Sequence, residues 1–279
     1  MTYPKPSKIY VYHCKNLRRL DHAIKLTQRD LRSYISKEEK ENVFSYNKIL
    51  SHLVTAWLEI RLYKLIHEPQ GFNDIDIRLI ETTSKAEERW TVALEIALCK
   101  VYKLKYTKQV TVKKENGTSE NQLVVNIPKN LASKLPFTIK AQYEELKKLI
   151  TKDLKAAIEI RNKIAHGQWE FPFNMEMTKI SSTAFKNLKD ENIVKIQLRI
   201  EIFKNLSLLI HYLNVSPNAF DKHFDKLYKI IESNQQNYKN RDYEKYKIRQ
   251  VEKYKRGLIK RYENIEAAVK NKEEIPTQI

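Results

Sequence analysis

Glycine and proline are scarce throughout this sequence. The chain has 279 residues but only four glycines and eight prolines. Because these two residues are the strongest local breaks in regular structure, their scarcity favours long uninterrupted elements. Apolar residues recur mostly at three- and four-residue steps, which is typical of helices. The 42% hydrophobic content is enough for a sizeable core. We therefore predict an all-α fold.

The helical spacing predicts where these helices lie. The strongest runs over 36–69, where Ser36 and Glu39 match a capping box, and another runs over 84–104, where Ser84 and Glu87 do the same. Helices of this length suggest an antiparallel bundle. The remaining predicted helices cover 17–35, 138–166, 190–214, 217–234 and a charged tail from about 237.

Four short segments depart from this pattern. KIYVYH (8–13) is interpreted as a short strand or extended arm, and NDIDIRLIET (73–82) as a brief strand or extended link. Two β-rich runs flank Asn116-Gly117 and predict a β-hairpin inserted between helices at about 107–127. WEFPFNMEM (169–177) is aromatic and irregular and is expected to pack. The domains predicted are a helical domain, 1–215, and a basic helical C-terminal extension, 216–279.

Composition also narrows the class of function. The formal charge of +18 favours a polyanionic partner such as RNA, although a solvated lysine surface explains it equally well. Cys14 and Cys99 belong to no CxxC pattern, and the scattered histidines form no HExxH. No metal or cofactor is therefore expected. No run approaches the roughly 20 apolar residues of a membrane span, and no signal core opens the chain, so we expect a cytoplasmic protein without membrane association.

The charged tail has two interpretations. Its basic residues and tyrosines could neutralise phosphates and stack on bases of RNA. The spacing of its apolar residues also fits a helix packing on another element or on a second copy of itself, and this packing interpretation is favoured. The residues that carry this spacing are Tyr243, Tyr246, Val251, Tyr254, Leu258, Tyr262 and Ile265.

An arginine interrupts the apolar row of the 138–166 helix. On a helical wheel Arg161 falls on the stripe of Leu146, Ile150, Leu154, Ala157, Ile158, Ile164 and Ala165. A buried guanidinium keeps its charge and needs a partner or a water-filled cleft. Glu59, within the apolar helix AWLEIRLYKL, is a candidate partner, although Glu59 and Arg61 could instead form a core salt bridge. Lys163 is interpreted as solvated or as an RNA contact.

The same helix ends at a histidine. His166 lies in the last turn, one turn after Asn162, so the two share a face. A histidine that titrates near neutrality suits general acid–base catalysis, and a fixed arginine suits a phosphate or its transition state. Arg161, Asn162 and His166 therefore form a candidate phosphodiester site. The structural alternative is a histidine that only caps the helix and an arginine that only pairs with a glutamate.

The run Arg161-Asn162-Lys163-Ile164-Ala165-His166 resembles the R-N-x-x-x-H signature of the HEPN superfamily of helical bundles, many of them RNases. The resemblance is close at the motif, loose over 36–215 and absent from the tail. It implies a metal-independent endoribonuclease in which the RNA 2′-hydroxyl attacks, leaving a cyclic phosphate and a 5′-hydroxyl. It also implies a homodimer with a composite active site and catalytic roles for Arg161, Asn162 and His166.

Members of that superfamily often act as toxins or in anti-phage defence, on tRNA or on other host or phage RNA. The resemblance is therefore also compatible with regulation by an antitoxin or another partner protein. Two alternatives stay open at this point. One is a non-catalytic HEPN module that binds RNA, nucleotide or protein, and the other is a purely helical interaction protein.

Overall fold

The computed structural model of the protein describes residues 6–113 and 119–272, with side chains for 6–111 and 123–270. The chain is mostly helical with one small sheet, so the all-α prediction is confirmed. The helices are α1 (Lys8–Ser36), α2 (Lys40–Ile66), α3 (Asp74–Glu81), α4 (Ala86–Val101), α5 (Phe137–Lys148), α6 (Lys155–Ala165), α7 (Ser182–Lys189), α8 (Ile193–Val215), α9 (Pro217–Asn240) and α10 (Tyr243–Lys272).

Three short elements complete the fold. Strands β1 (Thr107–Lys113) and β2 (Ser119–Val125) form an antiparallel hairpin in which Thr107 pairs with Val125, as the predicted insertion requires. The predicted turn at Asn116-Gly117 lies outside the described residues. A 3₁₀ turn, Leu131–Lys134, precedes α5. A π-helical turn, Leu149–Leu154, joins α5 to α6.

The core lies between α2, α4, α6 and α8. Helix α2 contacts α4, α6 and α8, and α4 contacts α6 and α8, while α1 packs on α2 and α9 packs on α8. Loops of one to three residues join α1 to α2 and α8 to α9, so each pair is antiparallel. Trp90, Phe203 and Phe220 are the bulkiest of the fully buried side chains. Burial of this apolar surface is what stabilises the helices, since isolated helices of this composition are marginal in water.

The residues of 8–13 do not form a strand or an arm, and that prediction is wrong. They form the first turns of α1, which begins where the Ser7 side chain accepts a hydrogen bond from the Tyr10 amide. Tyr10 then donates its hydroxyl to Glu68 at the end of α2, 2.8 Å away. Capping and this contact between α1 and the end of α2 outweigh the β-propensity of the aromatic and β-branched residues.

The strand or link predicted for 73–82 is likewise a helix, α3. Asn73 and Asp76 form a capping box at its start. The alternation of apolar residues in this segment had indicated a strand instead. The Asp76 carboxylate is fully buried and accepts from Lys100 at 2.9 Å and from Tyr106 at 2.7 Å. These two bonds tie α3 to α4 and to the start of the hairpin.

Both predicted capping boxes are wrong. Ser36 is the last residue of α1, and its hydroxyl donates to the Ser33 carbonyl. Helix α2 begins only at Lys40, after Glu38 has adopted a positive φ of 60°, and α4 begins at Ala86 after Lys85. A capping box forms only where the helix begins at the serine of the pattern. A preceding helix or turn can move the start of the helix to another residue.

The C-terminal helices differ in how they pack. Phe220, Phe224 and Ile231 of α9 belong to the main core. Helix α10 packs on α1 through its first turns, where Tyr243 and Tyr246 contact the core, whereas Tyr262 and Ile265 are exposed. The tail predicted to start at about 237 begins inside α9, which extends to Asn240 and contains Tyr238. The division of the chain into 1–215 and 216–279 stays a prediction.

Candidate active site

The helix that carries the motif is built from three segments rather than one. The predicted continuous helix 138–166 is interrupted by the π-helical turn Leu149–Leu154, so α6 itself spans only Lys155–Ala165. A π turn inserts one extra residue and shifts the faces of the helix on either side of it. The apolar stripe survives this shift, since its apolar members from Leu146 to Ile164 are buried, but Ala165 at the helix end is exposed.

Arg161 points towards α2. Its Nη2 atom donates to Oε1 of Glu59, so the predicted partnership between these residues is present. The Arg161 side chain is 22% exposed and the Glu59 side chain 35% exposed, so solvent reaches the pair. Burial lowers the pKa of Arg161, yet a guanidinium stays charged throughout the physiological range.

Helix α6 ends in a Schellman motif. The Gly167 amide donates to the Ile164 carbonyl at 3.0 Å, and the Gln168 amide donates to the Lys163 carbonyl at 2.9 Å. Gly167 has a φ of +73°, the left-handed conformation that this motif requires at its position. His166 is thereby fixed as the C-cap residue, where its side chain is exposed together with that of Asn162.

The segment after the motif is tied back to α6. Lys163 donates from Nζ to the Phe173 carbonyl, so it is not the free, solvated side chain expected from sequence. The Trp169 indole donates to the Ile164 carbonyl at 2.9 Å. The segment is irregular as predicted, and it packs only in part. Trp169 packs on the small cluster of Ile160, Ile164 and Leu188, and Phe171 stacks on Phe185, whereas Met175 and Met177 are exposed.

A second histidine lies near the motif arginine. His52 is on α2, seven residues before Glu59, and seven residues are two helical turns, so both face α6. Burial, and then the positive charge of Arg161, lower the pKa of His52. A neutral imidazole beside a guanidinium is the form that can accept a proton. The sequence analysis did not identify His52, although its spacing of seven residues from Glu59 places the two residues on one face of the helix.

The three motif residues therefore differ in burial and in hydrogen bonding. Arg161 is half-buried and paired, whereas Asn162 and His166 face solvent at the helix end. Within the described part of the chain, no side-chain hydrogen bond joins these three residues to one another. Arg61, the other charged residue of that α2 segment, instead donates to Ser207 of α8 and stacks on Trp57 at 4.7 Å, so it forms no part of this cluster.

Two further observations concern the kind of site present. Among residues 6–111 and 123–270, no three His, Cys, Asp or Glu side chains converge as a metal-binding group. None of the helices described has the length and apolar character needed to cross a bilayer.

Comparison of the chain with protein-family models, with curated proteins and with solved structures finds no match.

Proposed function

We propose that this protein is an endoribonuclease of the HEPN type, with a HEPN-like bundle, that cleaves RNA without a metal ion. The observation that carries the proposal is where the three residues of the R-N-x-x-x-H motif lie in the fold. Its arginine is held at α2 by Glu59, and its asparagine and histidine lie exposed at a fixed helix end. The role we propose for the enzyme is that of a toxin or an anti-phage defence effector.

The chemistry follows from the residue types. The 2′-hydroxyl oxygen of RNA attacks the adjacent phosphorus, and the bond from phosphorus to the 5′-oxygen breaks. The proton leaves the 2′-hydroxyl, and another proton reaches the departing 5′-oxygen. His166 is accessible for one of these transfers, and solvent water exchanges the other proton. Arg161 stabilises the extra negative charge of the phosphorane, and the Asn162 amide donates to the same oxygens.

The pair with Glu59 is compatible with this role because a guanidinium has five N–H donors. Its bond to Glu59 uses Nη2. Nε is buried and has no hydrogen-bond partner among the described residues, so a phosphate would meet the remaining Nη protons. Glu59 thus fixes the orientation of Arg161 while leaving donors for a phosphate. The excess of basic residues over the whole chain adds a general attraction for RNA.

A homodimer with a composite site is part of the proposal. The segment that follows the motif exposes apolar side chains, including Phe171, Met175 and Ile180. A second copy of this chain, docked against that segment, would cover these side chains and bring two motifs into one cleft. In the monomer the same surface is exposed and could bind an antitoxin or another regulatory protein.

The decisive experiment incubates the protein with total RNA in EDTA, beside Arg161→Ala, Asn162→Ala and His166→Ala. The expected result is cleavage by the wild type alone, with cyclic phosphate and 5′-hydroxyl ends on the fragments. His22→Ala is the matched control, because His22 is exposed on α1 and should be dispensable. If the folded motif variants cut as well as the wild type, the site is assigned wrongly.

One observation favours a second candidate function. Arg161 already has a carboxylate partner, as a purely structural arginine would, so a non-catalytic HEPN module that binds RNA or protein is the alternative. Such a module would bind RNA in a gel-shift assay without cutting it. A helical interaction protein would do neither. Toxicity of the wild type but not of His166→Ala in cells would support the enzyme against both.

A further inference from the structure

The last helix, α10, extends away from the rest of the fold. It packs on α1 through its first turns, where Tyr243 and Tyr246 contact the core. From Glu252 to Lys270 every side chain is exposed except that of Leu258, which is half-buried. We call residues 248–270 the distal part of α10. At 1.5 Å per residue this part is about 35 Å long.

The distal part of α10 carries a continuous apolar face. Its centre is a stripe in which three residues are followed, eleven positions later, by three more: Val251, Tyr254 and Leu258, then Tyr262, Ile265 and Val269. Eleven residues are close to three turns, so the six lie within an arc of about 80°. Ile248 and Ile259 lie beside the stripe and widen the face to about 140°. Since Ile259 is 58% exposed and Tyr262 is 70% exposed, this face is an interaction surface.

Basic residues dominate the rest of the distal part. They are Arg249, Lys253, Lys255, Arg256, Lys260, Arg261 and Lys270, against Glu252, Glu263 and Glu266. Lys253, Arg256 and Lys260 lie opposite the stripe, whereas Lys255 and Arg261 flank it on its two sides. These basic side chains have no ion-pair partner among the described residues. Their charge is therefore available to an anionic partner.

Three kinds of partner differ in how well they match this helix. A second copy of α10 covers the narrow stripe but leaves Ile248 and Ile259 exposed, and it brings the like charges of two basic helices together. RNA neutralises the basic residues but leaves the apolar face in water. A bilayer surface with anionic head groups is apolar and negatively charged at once, so it matches both faces of the helix.

We propose that the distal part of α10 binds the surface of an anionic phospholipid bilayer. The helix lies in the plane of the interface, with its apolar face at the boundary of head groups and acyl chains and its basic residues among the head groups. Tyr254 and Tyr262 suit this position, because tyrosine combines an apolar ring with a hydroxyl that stays in water.

This proposal changes the expectation that the protein has no membrane association. That expectation rested on the lack of a spanning segment and of a signal core, and a helix that lies in the interface needs neither. The proposal does not depend on ribonuclease activity, since no residue of the motif takes part.

The test measures cosedimentation of the full chain with lipid vesicles. One set contains phosphatidylcholine alone, and the other contains an equal mixture of phosphatidylcholine and phosphatidylserine. The apolar variant is Ile259→Gln with Ile265→Gln, in which glutamine keeps a good helix propensity. Its control is Ile9→Gln with Ile75→Gln, two exposed isoleucines of α1 and α3.

A second pair of variants tests the charge. The charge variant is Lys253→Gln with Lys260→Gln, on the face opposite the apolar stripe. Its control is Lys25→Gln with Lys226→Gln, which removes the same charge from exposed positions of α1 and α9.

The wild type should bind the mixed vesicles at least about tenfold more tightly than phosphatidylcholine alone, because the basic residues attract anionic lipid. Each α10 variant should raise the Kd for mixed vesicles about fivefold or more, and each control less than about twofold. Absence of binding to mixed vesicles, or equal losses in variants and controls, overturns the proposal. Undiminished binding by the apolar variant also overturns it, because adsorption by charge alone does not use the apolar face.

Light scattering without vesicles tests the second copy as the partner. The proposal predicts the same molar mass for the wild type and the apolar variant. A mass that falls by half in the variant overturns the proposal, because self-association would then cover the face. The homodimer proposed at the segment after the motif does not affect this comparison, since both proteins keep that segment unchanged.

Discussion

Arg161 of α6 is bonded to Glu59 of α2, so an ion pair joins two core helices at the residue where the motif begins. The two residues are 102 positions apart in the chain. The pair explains how an arginine is accommodated on an otherwise apolar row. It also makes Arg161 the motif residue with the largest structural role.

Removing Arg161 should therefore affect stability as well as activity. We expect Arg161→Ala to lower the free energy of unfolding by about 1 kcal/mol, because Glu59 loses its partner in a setting that solvent still reaches. Urea denaturation measures this. In a double-mutant cycle with Glu59→Gln, the two losses should be less than additive. Additive losses would mean that the contact contributes nothing to folding.

His166 should behave in the opposite way. Its side chain is exposed at the C-cap, so His166→Ala should change the free energy of unfolding by no more than about 0.5 kcal/mol while abolishing RNA cleavage. Thermal melting and the cleavage assay, run on the same preparation, check both halves. A large loss of stability would show that His166 is a structural cap and would make the activity result uninformative.

The two glycines at 167 and 257 provide a matched comparison. A Cβ added at either position meets no atom of the described residues within 4 Å, so only backbone conformation separates them. Gly167 has a φ of +73°, and Gly257 lies inside α10. Gly167→Ala should cost about 1 kcal/mol, whereas Gly257→Ala should be neutral or slightly stabilising. Chemical denaturation distinguishes these outcomes, and equal effects would contradict the Schellman assignment.

The buried pair of Arg199 and Glu191 should be the most sensitive ion pair tested. Glu191 also accepts from Ser51 at 2.7 Å, so Arg199→Met leaves a buried carboxylate with one neutral donor and only the charge of nearby Lys48 to offset it. We expect a loss of about 3–5 kcal/mol. The exposed pair of Lys204 and Glu201 is the control, and Lys204→Ala should cost less than about 1 kcal/mol. Calorimetry or urea denaturation would show whether the two losses differ as expected.

Acid should destabilise the protein below neutrality through its half-buried histidines. Burial is the largest cause of the lowered pKa values of His13, His52 and His211. The unfolded chain then binds more protons than the folded one, so stability falls as the pH drops below the unfolded pKa of about 6.5. The midpoint of thermal unfolding should decrease between about pH 7 and pH 5.5, and His52→Gln should make that decrease shallower. An unchanged slope in the variant would exclude His52 as a contributor.

Local pattern determined the helical class, the hairpin and the anomaly of Arg161, because apolar periodicity, turn residues and an arginine on an apolar row are all readable over a few turns. It also predicted Glu59 as a partner. It failed at 8–13 and 73–82, where capping and contacts with other elements outweigh β-propensity. It failed again at 149–154, because no short pattern reveals a π turn.

Only the tertiary structure decided what surrounds the motif. His52 and Glu59 face α6 because α2 packs against it, whereas the apolar face of α10 is exposed beyond its first turns. The physical reason is that periodicity shows which face of a helix is buried but not which helix covers it. That choice depends on the fit of side chains across the whole core.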